Sequence, residues 1–504
     1  SKEVLKTRNF KHLSGVKKTN LEKSLVKNIG DLTFDATRHC ISDKAIEIAR
    51  QIFDEVKTKN FLEAIWSGNI VNKTEKRRAL HPALRAPKKS FFSTSISNEV
   101  HAHREKLFKV SESIRNGKLR SFSDEKYTSL LVLGIGGSDL GPRMAVKALS
   151  SFSESINVSF VSNIDPAELS NQILHLNPKK TLVIISSKTF TTLETISNAN
   201  AAYEWMSKCI GEDGAKFQRL GVTANINNAK NYGLKDNQII GFSNWVGGRY
   251  SIWSGVGLPL AISIGQKHFE EFLAGGFSID THVREEMINS IPSLMAIIGY
   301  IHRNYIGSSS HCIVPYDSNL AYLPSYLQQL EMESNGKSVS INGDFIKYHS
   351  APVIWGLVGT DSQHSFFQML HQGSDKIPID IMVARKSVYE GENINKRHRI
   401  LVANALGQAE ALFRGNKNEI KHKNFDGNRS VSLISYNKLT PFRLGSLIAI
   451  YEYKVIIQAA LWKINPFDQF GVELGKEFAN ALINNEKNTF GIGTDTLNKF
   501  LKLK

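Results

Sequence analysis

The chain has 504 residues, of which 41% are hydrophobic, so it is long enough for more than one domain with a large core. Its formal net charge of +16 is high, yet the basic residues lie in short runs along the whole sequence. Such a charge could indicate nucleic-acid binding, but without a continuous basic arm or a known recognition motif a solvated basic surface is the better interpretation. No apolar run reaches the roughly 18 residues of a spanning helix, and no apolar signal core opens the sequence. The three cysteines are scattered, so we expect a cytoplasmic protein without disulfides or a membrane segment.

Residues 1 to 115 have mainly helical patterns. In Ala45–Val56 the apolar residues recur with helical spacing and the charged residues fall on the opposite face. We therefore expect this part of the chain to be mainly helical.

After residue 115 short apolar runs alternate with helical segments. The predicted strands are Leu130–Leu133, Val158–Val161, Leu182–Ile185, Leu220–Thr223 and Ile239–Phe242. Such alternation is typical of a doubly wound parallel sheet with helices on both faces. Ligands of these sheets bind at the carboxyl ends of the strands, so we expect a ligand site among the residues that follow each strand.

The segment Ser186–Thr192, which follows the third of these strands, has five hydroxyl side chains and one lysine in seven positions. An ordinary N-cap needs only one hydroxyl, whereas a phosphate at a helix N-terminus accepts hydrogen bonds from several donors. The glycine-rich segment Gly134–Ser138 follows the first strand in the same way. Neither segment has the spacing of a dinucleotide or nucleoside triphosphate motif, so the pattern indicates a small phosphorylated metabolite.

The turn Gly247-Gly248 precedes Arg249, which it could present to a cleft, although a structural ion pair is the alternative for this arginine. A second α/β pattern follows, and its rhythm resembles that of the first without a clean sequence repeat. Its predicted strands are Cys312–Pro315, Pro352–Gly356, Ile379–Val383 and Val431–Ser435. From about residue 440 the pattern is helical to the end of the chain.

Glu333 stands just before a Ser-Asn-Gly turn, where it could act as a general base or simply be a solvated glutamate at a helix end. His364 follows a polar segment and is better placed to reach a cleft than His371, which we interpret as a structural histidine. No spacing of histidines, cysteines or acidic residues is typical of a metal site, so we predict no metal.

Taken together, several motifs resemble those of the glucose-6-phosphate isomerase (phosphoglucose isomerase) family, in the same order along most of the chain. They are Val71–Glu75, Leu80–Arg85, Gly134–Pro142, Ser187–Thr192, Gly247–Ser251, Met332–Lys337, Gln363–Gly373 and Phe467–Lys476. The resemblance implies reversible isomerisation of glucose 6-phosphate and fructose 6-phosphate in glycolysis and gluconeogenesis. It implies ring opening and proton transfer through a cis-enediolate, without a cofactor or metal.

The resemblance also assigns roles to residues. The catalytic residues would be Glu333 as the base, Arg249 as the cation that stabilises the enediolate, and His364 with Lys476 for ring opening. The supporting residues would be Glu194, Gln329, Gln469 and Gly248. The substrate phosphate would bind to Gly137, Ser138, Ser187, Lys188, Thr189 and Thr192.

For the fold, the resemblance implies an α/β protein with two αβα sandwich lobes of the sugar-isomerase (SIS) type, with mostly parallel sheets and a helical C-terminal arm. Residues 1–115 would be the N-terminal helical part of the large lobe, 116–262 the small lobe with the phosphate site, and 263–465 the rest of the large lobe. Residues 466–504 would carry the catalytic lysine and the arm. A homodimer is implied, with the active site at the subunit boundary and His364 supplied by the partner.

Three other functions remain open on the sequence alone, and one of them is the nucleic-acid binding that a net charge of +16 could mean. A non-catalytic sugar-phosphate sensor on the same fold would need the hydroxyl-rich segment but has no use for Glu333, Arg249, His364 and Lys476 together. An isomerase of another phosphosugar would keep all of these residues, because the geometry that decides the stereochemistry at C2 cannot be read from a sequence.

Overall fold

The computed structural model describes residues 25–154, 156–484 and 491–501. The strands are β1 (Val26–Ile29), β2 (Leu32–Arg38), β3 (Ser129–Leu133), β4 (Asn157–Val161), β5 (Thr181–Ser186), β6 (Arg219–Thr223), β7 (Ile239–Gly241), β8 (Ser310–Tyr316), β9 (Val353–Gly356), β10 (Ile379–Ala384) and β11 (Val431–Tyr436). The α-helices are α1 (Asp43–Glu55), α2 (Thr58–Trp66), α3 (Thr94–Arg115), α4 (Leu140–Ala148), α5 (Pro166–Ile173), α6 (Leu193–Phe217), α7 (Ile226–Asn231), α8 (Leu258–Glu286), α9 (Ile291–Ile301), α10 (Leu323–Leu327), α11 (Phe367–Gln372), α12 (Glu392–Arg414), α13 (Pro441–Leu461), α14 (Glu473–Ile483) and α15 (Ile492–Leu501). Contacts divide the chain into two compact units, Ser1–Pro466 and Phe467–Lys504.

The first sheet of the unit that ends at Pro466 has five parallel strands in the order β4-β3-β5-β6-β7. We call this sheet and its helices the five-strand lobe. Every residue of the central strands β3 and β5 is buried, so both faces of the sheet are covered. On one face Leu131, Leu133, Val183 and Ile185 pack with residues of α6. The predicted doubly wound parallel sheet is therefore confirmed.

The second sheet has six strands in the order β1-β2-β11-β10-β8-β9, and we call it and its helices the six-strand lobe. Strands β8 to β11 pair in parallel, whereas β2 pairs antiparallel with both β1 and β11. The interpretation of residues 1–115 as mainly helical is wrong for β1 and β2. In β2 the alternate residues Leu32, Phe34 and Ala36 are buried, a period of two that fits a strand with one covered face. By pairing with β11 this strand satisfies backbone groups that would otherwise form an open edge.

The nine strands predicted after residue 115 are all present, with bounds that differ by a residue or two. These strands could be predicted because each is a buried run of β-branched and aliphatic residues. Polar or glycine-rich residues follow the run and mark its end.

Helix α13 runs through the core of the unit that ends at Pro466. Among the described residues it is the one helix that is long and apolar enough to cross a membrane, but its most apolar window is entirely buried within the protein. It packs against α8 and α9 and carries the buried charged residues Glu452 and Lys454. The helix is therefore a core helix, and its charged residues Glu452 and Lys454 form ion pairs inside the protein.

The C-terminal unit is helical, as predicted, with α14, α15 and a short turn at Phe470–Val472. Residues 485–490 and 502–504 of the predicted arm lie outside the described residues, as do residues 1–24 of the predicted helical N-terminal part.

Candidate active site

Two glycine turns meet where the five-strand lobe faces the six-strand lobe. Gly137 belongs to the short turn Gly136–Ser138 after β3 and packs directly on Gly248. A Cβ atom on Gly137 would lie 2.1 Å from the carbonyl carbon of Gly248, so only glycine fits there. Gly136 has a φ of +59°, and a Cβ atom on it would lie 3.2 Å from Nε2 of Gln329. The glycine-rich turn thus borders the crevice that holds the candidate base.

Arg249 lies in the 3₁₀ turn Gly248–Trp253 and is buried. Its guanidinium donates hydrogen bonds of 2.6 Å to Oε1 of Glu333, to Oγ of Ser334 and to the carbonyl oxygen of Pro466. The Tyr250 hydroxyl lies 3.0 Å from the same Ser334 Oγ. Three acceptors therefore fix a permanent cation against the carboxylate of Glu333.

Glu333 ends a π-helical turn, Gln328–Glu333, which continues helix α10. The Nε2 atom of Gln329 donates a 3.0 Å hydrogen bond to Oε2 of Glu333, so each oxygen of the carboxylate has a partner. The Glu333 side chain is 26% exposed, so it remains within reach of a ligand in the crevice. Wide helical turns of this kind are frequent at functional sites, because they aim side chains that a regular helix would separate.

The hydroxyl-rich loop between β5 and α6 is held by its own side chains. Oγ of Ser187 lies 3.0 Å from Oγ1 of Thr192, and it also accepts the backbone N–H of Phe190. Thr192 is the N-cap of α6, but its side chain does not cap the helix. The first amides of α6 therefore have no side-chain acceptor from the cap, which suits an anionic ligand.

Lys188 extends from this loop toward the Arg249 turn. Its Nζ atom donates a 2.8 Å hydrogen bond to the carbonyl oxygen of Val246. Burial and the positive charges of Arg77 and Arg249, opposed by Glu75, lower the pKa of Lys188 to about 8. The lysine is therefore a cation held in an already positive crevice, where a phosphate dianion would compensate it.

Glu194 and His364 are the predicted pair of a carboxylate and an imidazole. Glu194 is in the first turn of α6, and His364 is exposed at the end of the 3₁₀ turn Asp361–His364. In the part of the chain that the structure describes, no hydrogen bond or ion pair joins the two. His371 instead lies 2.8 Å from Oε1 of Gln408, as expected of a structural histidine.

The remaining predicted residues have simple positions. Ser138 lies in the glycine-rich turn and Thr189 in the hydroxyl-rich loop, where Oγ1 of Thr189 accepts a hydrogen bond from the Thr191 hydroxyl. Gln469 and Lys476 belong to the C-terminal unit, in which Gln469 precedes the Phe470–Val472 turn and Lys476 is exposed on α14.

Sequence reasoning missed His81, which supports the turn that carries Arg249. Its Nε2 atom accepts the backbone N–H of Gly247 at 3.0 Å, and its ring stacks on Tyr250 with centroids 4.5 Å apart. Burial and the charges of Lys188, Arg249 and Arg85 hold the pKa of His81 well below its usual range, so the ring stays neutral and can accept. The available signal was its place in the Leu80–Arg85 motif, which contributes to the family resemblance without a role for this histidine.

Comparison with known proteins gives a consistent result. A family model described as phosphoglucose isomerase matches residues 35–496. The chain is 42% identical to glucose-6-phosphate isomerase of Methylocella silvestris over 477 residues, which cover 90% of this chain and 86% of the relative. It is 39% identical to the enzyme of the same name from Brucella anthropi over 479 residues, 90% of this chain and 87% of that one.

A solved structure agrees with these sequence matches. The crystal structure of a glucose-6-phosphate isomerase from Chlamydia trachomatis superposes with a TM-score of 0.85 at 30% identity, over 96% of this chain and 94% of that one. The resemblance drawn from the motifs is confirmed.

Proposed function

The chain belongs to the phosphoglucose isomerase family, and from this premise we propose that it interconverts glucose 6-phosphate and fructose 6-phosphate in the crevice bordered by Gly137, Arg249 and Glu333. The enzyme is thus an aldose–ketose isomerase.

One observation carries the proposal beyond the family: the carboxylate of Glu333 faces a buried guanidinium at 2.6 Å while remaining open to the crevice. In the open-chain sugar the carbonyl makes the adjacent C–H acidic. In the conversion of glucose 6-phosphate, Glu333 removes the proton from C2 and returns it to C1. One base can serve both carbons because they are adjacent in the planar cis-enediolate and accessible from the same face. Arg249 stabilises the negative charge that develops on the enediolate oxygens, and Gln329 orients the base and the substrate.

The phosphate group binds to the two turns of the five-strand lobe. The uncapped start of α6, the hydroxyls of Ser187, Thr189 and Thr192, and the ammonium of Lys188 supply donors on one side. The backbone of Gly137 and the Ser138 hydroxyl supply donors on the other. This grip is remote from C1 and C2, so its binding energy positions the reacting carbons.

Ring opening is the task we assign to His364 of a second copy of the chain, in a homodimer with Glu194 as the carboxylate that orients the imidazole. Within one chain His364 is exposed, and among the described residues neither its side chain nor that of Glu194 has a hydrogen-bond partner. An arrangement across a subunit boundary would supply one to each. Lys476 assists ring opening, and Gln469 orients the substrate. We place the dimer in the cytoplasm, where the free cysteines Cys40, Cys209 and Cys312 would stay reduced.

The proposal is tested by the turnover of fructose 6-phosphate in the presence of EDTA, with glucose 6-phosphate detected through a coupled dehydrogenase. We expect turnover by the wild-type protein and a decrease of about 10²- to 10⁴-fold in kcat for Glu333→Gln, which cannot accept the proton. Glu204→Gln, on an exposed part of α6, is the matched control. Binding of fructose 6-phosphate without turnover by folded wild-type protein would instead support the sensor. Activity retained by Glu333→Gln would place the base elsewhere.

A further inference from the structure

The π-helical turn that carries the base is held from its buried side by an ion pair. Glu331, two residues before Glu333, is 2% exposed and is directed into the core. Its Oε2 atom accepts a 2.6 Å hydrogen bond from Nζ of Lys454 on α13, whose side chain is 1% exposed. Gln329 and Glu333 thus face the crevice while Glu331, between them in sequence, faces the core.

Neutral contacts hold the same turn on other sides. The side-chain amide of Asn335 donates a 3.0 Å hydrogen bond to the carbonyl oxygen of Val455, the residue after Lys454. Sδ of Met332 accepts the backbone N–H of Ile354 on β9 at 3.4 Å. Helix α13 therefore contacts the chain both before Glu333, at Glu331, and after it, at Asn335, and the Lys454 pair is the charged one of these contacts.

Lys454 is itself fixed by a chain of buried polar groups. Its Nζ atom lies 3.5 Å from Nδ1 of His311, whose Nε2 atom lies 3.2 Å from Oδ1 of Asp380. The other oxygen of Asp380 accepts a 2.8 Å hydrogen bond from the Tyr451 hydroxyl, one helical turn before Lys454. With partners on both sides, the ammonium has little freedom to move, and neither has the carboxylate that it binds.

We infer that Lys454 and Glu331 are positioning residues for the isomerisation, which act by fixing the orientation of Glu333. This inference rests on the proposed role of Glu333 as the base. A buried ion pair is weak evidence for stability, because apolar replacements of similar shape are often neutral or stabilising. The substrate phosphate binds on the other lobe, so an effect on Glu333 alone changes kcat more than KM.

The test is the double variant Glu331→Gln/Lys454→Met, which removes both charges and nearly preserves shape. We expect its melting temperature to stay close to that of the wild type. We expect kcat with fructose 6-phosphate to fall by about 10- to 100-fold, with KM almost unchanged, since misplacement of a catalytic group by an ångström has effects of this size. A role in stability alone would instead lower the melting temperature and leave the kcat and KM of the folded variant unchanged.

Ser446→Ala is the matched control, because this buried serine of α13 binds the carbonyl oxygen of Gly275 and not the catalytic turn. It should keep wild-type kcat and KM. Glu331→Gln alone serves if the double variant does not fold, and it should show the same selective loss of kcat. Wild-type kcat in either folded variant overturns the inference. If the wild type is active and Glu333→Gln is inactive in the same series, the proposed function holds even when the inference fails. If the wild type has no turnover, the proposed function itself is overturned.

Discussion

Lys188 of the hydroxyl-rich loop carries a positive charge in an environment that disfavours it. Its pKa of about 8 means that the ammonium is fully present below neutral pH and is lost as the pH rises through about 8. The second ionisation of a sugar phosphate lies near pH 6, so the substrate is a dianion around pH 8. The loss of charge on Lys188 should therefore weaken substrate binding on the alkaline side.

We expect kcat/KM for fructose 6-phosphate to decline as the pH rises through about 8, because this ratio reports ionisations of the free enzyme. The decline should be smaller in kcat, since a bound dianion raises the pKa of the lysine. Steady-state rates between about pH 6.5 and 9.5 measure both quantities.

Lys188→Arg is the control, because its guanidinium stays charged over this range whatever its own affinity for phosphate. The alkaline decline near pH 8 should disappear in this variant. An identical decline in both proteins would show that another group titrates.

At the level of elements, the turn Gly136–Ser138 contacts the turn Gly248–Trp253, and this contact would join the proposed phosphate site to the proposed site of proton transfer. The Gly137→Ala change would place a methyl group 2.1 Å from the Gly248 carbonyl carbon, so one turn must move away from the other. We expect KM for fructose 6-phosphate to rise and kcat to fall by about 10-fold or more. Steady-state kinetics and a thermal melt measure the effect.

Gly407→Ala provides the matched control for this glycine. Gly407 lies within α12, and a Cβ atom there meets nothing within 4 Å. That variant should keep wild-type kinetics and be slightly more stable, by about 0.5–1 kcal/mol, since alanine favours a helix. Normal kinetics in Gly137→Ala would contradict the idea that the two turns must touch.

The elements also show what a sequence can and cannot predict. Strands such as β5 were predictable because a run of buried aliphatic residues stands directly before a polar turn. The alternation of Leu32, Phe34 and Ala36 carried a signal for β2 that we overlooked within a helical region. By contrast, the pairing of Glu331 with Lys454 joins residues more than a hundred positions apart, and nothing local in the sequence distinguishes Glu331 from an exposed glutamate. Long-range partners of this kind can be identified only once the fold is known.

On the scale of the whole molecule, the two lobes share a strand order. The parallel strands run β4-β3-β5-β6 in one sheet and β9-β8-β10-β11 in the other, which are equivalent orders. The shared order agrees with the similar rhythm of the two α/β patterns in the sequence. After its first strand, however, one lobe has the glycine-rich turn and the other has Asp317-Ser318-Asn319. In the proposed mechanism, phosphate binding and proton abstraction therefore belong to different lobes.

The proposed dimer extends this division of labour to two chains, and it predicts complementation between inactive variants. In a symmetric dimer of His364→Ala with Glu333→Gln, one site combines the intact Glu333 of the first chain with the intact His364 of the second, while the other site lacks both. When equal amounts of the two variants are dissociated and reassociated, we expect recovery of about a quarter of wild-type activity, since half of the dimers are mixed and each has one working site.

Each variant taken through the same treatment alone is the control and should stay inactive. Size-exclusion chromatography before and after mixing verifies that dimers have re-formed. Recovery requires that the two residues of one site come from different chains, because a site built from a single chain would be defective in every dimer. Mixed dimers without recovered activity would therefore assign His364 to the same chain as Glu333, and the shared site would have to be abandoned.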